Sequence, residues 1–182
     1  MSSARDQTEV LVVLSRLTAQ SRWREFDAII SIESLANPES LEVTDVHPRD
    51  RLVLRFEDVD FDLADQNKPK ILDVQTALEF ARNVTGSLLV HCEAGISRST
   101  AVAIAIAADR LGPGEEGAAV GAIVDQVKGA MPNLLVLQYA DMLLGRDGKL
   151  VDAWRTVEQR QPDVAHARRR KHLRRLMGRG ST

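Results

Sequence analysis

The sequence has a single cysteine, Cys92, among 182 residues. One thiol excludes an intrachain disulfide and a cysteine-rich zinc site. A lone cysteine is then either a small buried hydrophobe or a reactive group. Aromatic residues are also scarce, at 4%, while apolar residues reach 44%. A core is therefore expected from Leu, Val, Ile and Ala. Long hydrophobic runs are missing too. The longest, Ala101 to Ala108, has eight residues and is too short to span a bilayer. The apolar stretch Val10 to Leu14 is too short for a signal-peptide core, and Arg5, Asp6 and Glu9 crowd it. These absences lead to the expectation of a soluble cytoplasmic protein.

Charge is unevenly spread. Residues 166–182 carry seven Lys or Arg and no acid, while the other 165 residues hold 17 basic and 26 acidic side chains, a net of −9. An acidic domain over 1–160 and a basic C-terminal tail over 161–182 are expected. Such a tail is ordinarily solvated and disordered. It could contact an acidic partner or an anionic surface. It contains no interleaved aromatics, so specific nucleic-acid binding is not expected.

The pattern along the chain points to an α/β fold. Val10 to Leu14, Asp27 to Ile32, Arg51 to Phe56 and Leu88 to Val90 read as strands. Thr18 to Phe26 reads as a helix that turns Trp23 and Phe26 inward. Asn37-Pro38-Glu39-Ser40 is a break. Glu57 to Lys70 is acidic and reads as a mobile loop. Ile71, Val74, Leu78 and Ala81 recur at helical spacing, and Gly86 stops that helix. The stretch from Arg98 to Leu111 is apolar on nearly every side, as expected of a central buried helix. Glu115 to Val127, Asn133 to Leu144 and Leu150 to Gln159 read as further helices, separated by Pro132-Asn133 and the Gly145 to Gly148 turn. The expected architecture is a central, mostly parallel sheet of four to five strands flanked by helices, with a helical C-terminal half.

The chemistry concentrates in Leu88-Leu89-Val90-His91-Cys92-Glu93-Ala94-Gly95-Ile96-Ser97-Arg98-Ser99-Thr100. The context is strand, loop, helix N-terminus. A loop in that position can aim several backbone N–H groups at one point, where the helix dipole adds positive charge. Gly95 allows a tight bend and close approach of a ligand. Arg98 supplies a planar, permanently charged, bidentate donor for phosphoryl oxygens. The same field favours Cys92 as a thiolate nucleophile. Ser99 is placed to hydrogen-bond the sulfur and to help it leave. His91 is expected to orient the loop rather than to act as a base. A phosphocysteine intermediate would replace one hard displacement by two easier ones. The residues between Cys92 and Arg98 (Glu93, Ala94, Gly95, Ile96 and Ser97) form the expected phosphate cradle.

His91 to Ser99 resembles the signature loop of the cysteine-based protein tyrosine phosphatases, and Ala94 to Ser99 is most similar to the compact dual-specificity branch. The order of strand, acidic loop, helix and signature strand fits that family over roughly residues 10–145. The resemblance implies a phosphatase acting on phosphotyrosine in proteins, either alone or together with phosphoserine and phosphothreonine. It also implies a loop aspartate that protonates the leaving oxygen and later activates water. Asp58, Asp60, Asp62 and Asp65 compete for that role. Asp58, at the end of the strand, holds the position the family uses, and Asp60 is second.

Other readings stand beside this one. Cys92 could be structural, Ser99 a plain helix cap, and Asp58 part of a solvated acidic loop. A phospho-binding pseudophosphatase would keep the loop without turnover. A phosphoinositide or inositol phosphate phosphatase is disfavoured because the five cradle positions hold no lysine and Glu93 is acidic. Low-molecular-weight tyrosine phosphatases place their loop near the N-terminus, and thiol-cascade arsenate reductases need further cysteines. His47, His166 and His172 lack metal-ligand spacing, so neither a metal nor another cofactor is expected. Trp23, Trp154 and the methionines read as packing residues.

Overall fold

The computed structural model describes residues 10–35, 50–61 and 67–177. The elements are β1 (Leu11–Ser15), α1 (Arg16–Arg22) with a 3-10 turn at Trp23–Glu25, β2 (Ala28–Glu33), β3 (Arg51–Arg55), α2 (Ile71–Arg82) and β4 (Leu88–Cys92). The helices α3 (Arg98–Leu111), α4 (Glu116–Val124), α5 (Leu134–Leu143), α6 (Lys149–Gln159) and α7 (Pro162–Met177) follow in succession. Four strands form one sheet in the order β1-β4-β2-β3, and every pairing is parallel. The α/β architecture with a helical C-terminal half is the one expected, at the lower of the two strand numbers.

Parallel strands covered on both faces need apolar residues at successive positions. Strand β4 satisfies this: Leu88, Leu89 and Val90 are fully buried. Alternation then divides the neighbours. Leu89 and Ile29 pack with Ala19 and Trp23 on one face. Leu88, Val90, Ile30 and Ile32 face the larger core, where α2 contributes Val74, Ala77, Leu78 and Ala81. Every residue of α3 from Arg98 to Ala108 is buried, which makes it the central helix.

Several boundaries differ from the expected ones for local reasons. The Ser15 side chain accepts from Thr18 N at 3.2 Å, so α1 starts earlier than Thr18 and gives way to the 3-10 turn before Phe26. Ile71 is the first residue of α2 and lies 39% exposed, so it does not join the apolar face assigned to it. The described ends of the 57–70 loop are tied, since Glu57 N donates to Asn67 O at 2.7 Å and Ser34 Oγ donates to Glu57 Oε1 at 2.5 Å. Asp62, Asp65, His47 and the break at 37–40 lie outside the described residues.

The largest departure is at the C-terminus. The expectation of a solvated, disordered segment fails for its described part, because 162–177 is helix α7. Pro162 opens it and Asp163 lies in its first turn, both favourable there. Val164 and Arg168 are each 8% exposed, so one face packs on the body. The Arg168 guanidinium donates to Pro132 O at 2.9 Å and to Glu158 Oε1 at 2.5 Å, and lies 5.8 Å from the Trp154 ring centroid. The acidic body thus attracts its own basic segment. Among the described residues, no helix is long and apolar enough to cross a membrane.

Candidate active site

Strand β4 delivers His91 and Cys92 at its C-terminal end, and α3 begins at Arg98. The five residues between Cys92 and Arg98 form a loop, and three of its carbonyls are bonded by N–H groups of other segments. Glu93 O accepts from Arg16 N at 3.2 Å, Ile96 O from Met131 N at 3.0 Å, and Ser97 O from Asn133 N at 3.2 Å. Among the described residues, the N–H groups of Glu93 to Ser97 make no backbone hydrogen bond. Gly95 makes this path possible. Its φ is +71°, and a Cβ there would meet Ser15 N at 2.6 Å and the Leu14 carbonyl carbon at 2.7 Å. A side chain is excluded both by conformation and by the backbone of the β1–α1 junction.

Within this loop the sulfur of Cys92 lies 3.1 Å from Ser99 Oγ, and both residues are buried. Arg98 is 7% exposed, and its Nη1 donates to Phe56 O at 2.9 Å. That bond ties the guanidinium to the end of β3, two residues before Asp58. The His91 ring is 1% exposed, with Nε2 2.8 Å from Ser31 Oγ on β2. Burial, then the charges of Arg51 and Arg16, push its pKa down to about 4. A neutral imidazole anchored to the neighbouring strand orients the loop and carries no charge near neutral pH.

Asp58 reaches the same loop from the other side. Its Oδ1 accepts from Ser97 Oγ at 2.7 Å and from Asn133 Nδ2 at 2.9 Å, while Oδ2 lies 2.8 Å from Lys171 Nζ. Burial pushes the carboxyl up, but the charge of Lys171 beside it and the hydrogen bonds from Asn133 and Ser97 outweigh it, leaving the pKa below the ordinary carboxylate value. Asp60 is placed differently. Its Oδ1 accepts from Leu134 N at 3.2 Å at the start of α5 and lies 3.4 Å from Arg168, and its Oδ2 lies 2.9 Å from Lys171. It joins α5 to α7, and among the described residues it makes no hydrogen bond or ion pair to the 93–97 loop. The geometry therefore separates two aspartates that spacing alone could not.

Cys92, Arg98, Ser99, Ser97 and Asp58 thus converge, with His91 behind them. Glu93 does not face the cradle as a free carboxylate: its side chain pairs with Arg16 Nε at 2.8 Å. Two residues with a part in the site were not singled out from the sequence. The sequence marks Asn133 only as the separator and start of the helix Asn133 to Leu144. Its Oδ1 caps α5 by accepting from Val136 N at 3.0 Å, and its Nδ2 bonds Val59 O at 3.0 Å as well as Asp58. An Asn before an apolar helix is a capping signal, but nothing local marks its second bond. Lys171 was counted only as tail charge.

Among the described residues, no group of three His, Cys, Asp or Glu side chains could hold a metal ion. His172 instead meets Phe61, ring centroids 4.3 Å apart. A concavity of about 750 Å³ lined by Asp27, Asp50, Phe80 and Thr85 lies at the strands' N-terminal ends, opposite Cys92, and brings no nucleophile together.

No protein-family model and no curated protein matches the chain. Solved structures do match in fold. A mouse putative dual specificity phosphatase complexed with zinc tungstate aligns with a TM-score of 0.55 at 18% identity, covering 83% of this chain and 95% of that one. DUSP15 aligns with a TM-score of 0.51 at 23% identity, over 85% and 94% of the two chains. Human DUSP28 aligns with a TM-score of 0.54 at 19% identity, over 73% and 92%. The chain has the fold of the cysteine-based protein phosphatases. That fold is shared with compact dual-specificity phosphatases among the matched structures.

Proposed function

We propose that this chain is a cysteine-dependent phosphatase that hydrolyses phosphotyrosine in proteins, with phosphoserine and phosphothreonine within its range. The observation that carries the reading is the meeting of Cys92 Sγ and Ser99 Oγ at 3.1 Å inside a loop that also binds Asp58 through Ser97 at 2.7 Å. Nucleophile, leaving-sulfur donor and acid–base group are joined by one short segment.

In the first step the Cys92 sulfur attacks phosphorus and the P–O bond to the substrate breaks. Asp58 gives its proton to the departing oxygen. The phosphoryl oxygens lie against the loop N–H groups and the Arg98 guanidinium, which stabilise the charge of the transition state without reorganising. In the second step water attacks phosphorus, Asp58 takes a proton from it, and the S–P bond breaks with Ser99 donating to the sulfur. Phosphate leaves and Cys92 is restored. His91 holds the loop throughout.

Protein substrates are favoured over polyphosphorylated headgroups because the cradle positions 93–97 offer no cation. The pairing of Glu93 with Arg16 weakens the repulsion expected from that carboxylate, so the argument rests on the missing lysines. The test is phosphate release from peptides carrying phosphotyrosine, phosphoserine or phosphothreonine, beside a phosphoinositide. Vanadate-sensitive release from the phosphotyrosyl peptide, lost in Cys92→Ser, is expected. Tight peptide binding without release would make the chain a phospho-binding module, and preference for the headgroup would overturn the substrate assignment.

A further inference from the structure

The mechanism above uses Asp58 but leaves open what holds it. Two of its partners, Ser97 and Asn133, come from the N-terminal ends of α3 and α5. The third comes from the basic helix α7. Lys171 Nζ lies 2.8 Å from Asp58 Oδ2 and 2.9 Å from Asp60 Oδ2, with a side chain only 22% exposed. Arg168, one turn earlier, lies 3.4 Å from Asp60 and anchors α7 on Pro132 O and Glu158. Phe61 and His172 extend the same contact, ring against ring. One helix therefore crosses the acid-bearing segment with two cations set against two carboxylates.

We propose that Lys171 is a positioning residue for the reaction: bridging Asp58 and Asp60, it fixes the Asp58 carboxyl beside Ser97 and makes α7 part of the acid–base apparatus. This rests on the phosphatase reading of the site. Ser97 and Asn133, both neutral, bond one carboxylate oxygen, Oδ1, and Lys171 lies against the other, Oδ2. A lysine shared with the buried Asp60 restricts rotation of that carboxylate, because Asp60 is itself fixed by Leu134 N at 3.2 Å. Near-attack geometry of this kind controls proton transfer.

The arrangement also sets a pH dependence. The charged groups around Asp58 include, among the described residues, Lys171 and Arg168 from α7 and Asp60 from its own segment, with Arg98 bonded to Phe56 O nearby. Lys171 favours the charged carboxylate, which is the form that accepts a proton from water in the second step. The first step needs the protonated form, so activity ends on the alkaline side where Asp58 loses its proton. Removing the lysine raises the pKa of Asp58, and that limit moves to higher pH.

The test measures kcat and kcat/KM against pH for the full-length wild type, Lys171→Met and Lys171→Arg. The substrates are phenyl phosphate, whose leaving oxygen needs a proton, and p-nitrophenyl phosphate, whose leaving oxygen needs one far less. In Lys171→Met the alkaline limb with phenyl phosphate is expected to move to higher pH. Its kcat at the optimum falls about tenfold, KM changes little, and p-nitrophenyl phosphate is affected less. Lys171→Arg keeps the wild-type profile. A Lys171→Met profile that superimposes on the wild type, or an equal loss with both esters, overturns the inference alone. An inert wild type overturns the phosphatase reading and this inference with it.

Discussion

The proposed phosphate loop and the proposed acid site sit side by side but are built in opposite ways. Residues 91–99 are contiguous, and their path turns on the backbone at Gly95, pressed against Leu14 and Ser15, with main-chain bonds from Arg16, Met131 and Asn133 closing around it. Asp58 is held by side chains from Ser97, Asn133 and Lys171, up to more than a hundred residues away in sequence. A local device depends on conformation, and one substitution can break it. A dispersed device depends on packing between elements, and each of its supports is expected to carry only part of the effect.

That contrast orders the expected effects of substitution. Gly95→Ala strikes the local device where a Cβ has neither conformation nor space. Turnover is expected to fall by about a thousandfold, in the range lost when an oxyanion donor is misplaced, with a lower melting temperature. Near-normal activity would show that the loop does not need its observed path. Asp58→Asn removes the acid but leaves the loop, so kcat for a phosphotyrosyl peptide should drop about a hundredfold with little change in KM. A comparable drop in Asp60→Asn with an unaffected Asp58→Asn would exchange the two roles. Asn133→Ala removes one support and one helix cap. About 1 kcal/mol of stability should be lost, and kcat should fall by about tenfold or less. A loss as large as that of Asp58→Asn would mean the supports act as a unit rather than in parts.

The last effect is on stability rather than turnover and concerns His91, the tie between the loop and β2. Its folded pKa of about 4 lies below the ordinary 6.5, so the unfolded chain binds the proton more readily than the native one. Its contribution is therefore fully present above pH 6.5 and is lost as pH falls towards 4. The slope is at most about 1.4 kcal/mol per pH unit. Chemical unfolding between these pH values should show a shallower slope in His91→Gln than in the wild type. An unchanged slope would place the acid sensitivity elsewhere.

The same contrast explains what could be read from residues alone. His91 to Ser99 was legible because its chemistry is encoded by neighbours in sequence, and the strand and helix flanking it carry strong apolar patterns. Asp58 was legible only through its place at a strand end. Asn133 carries a capping signal that accounts for one of its bonds and conceals the other. Lys171 was not legible, since seven cations without an acid have the composition of a solvated segment. Their partners, Asp58, Asp60 and Glu158, are supplied by tertiary packing and leave no local mark.

The central claim is that the Cys92 sulfur, set among loop N–H groups and Arg98, takes the phosphoryl group. Rapid denaturing quench of the wild type during turnover of a radiolabelled phosphotyrosyl peptide tests it most directly. The account predicts a transient label on the peptide bearing Cys92, absent from Cys92→Ser. Sustained turnover with no labelled enzyme, or with the label on another residue, would contradict it.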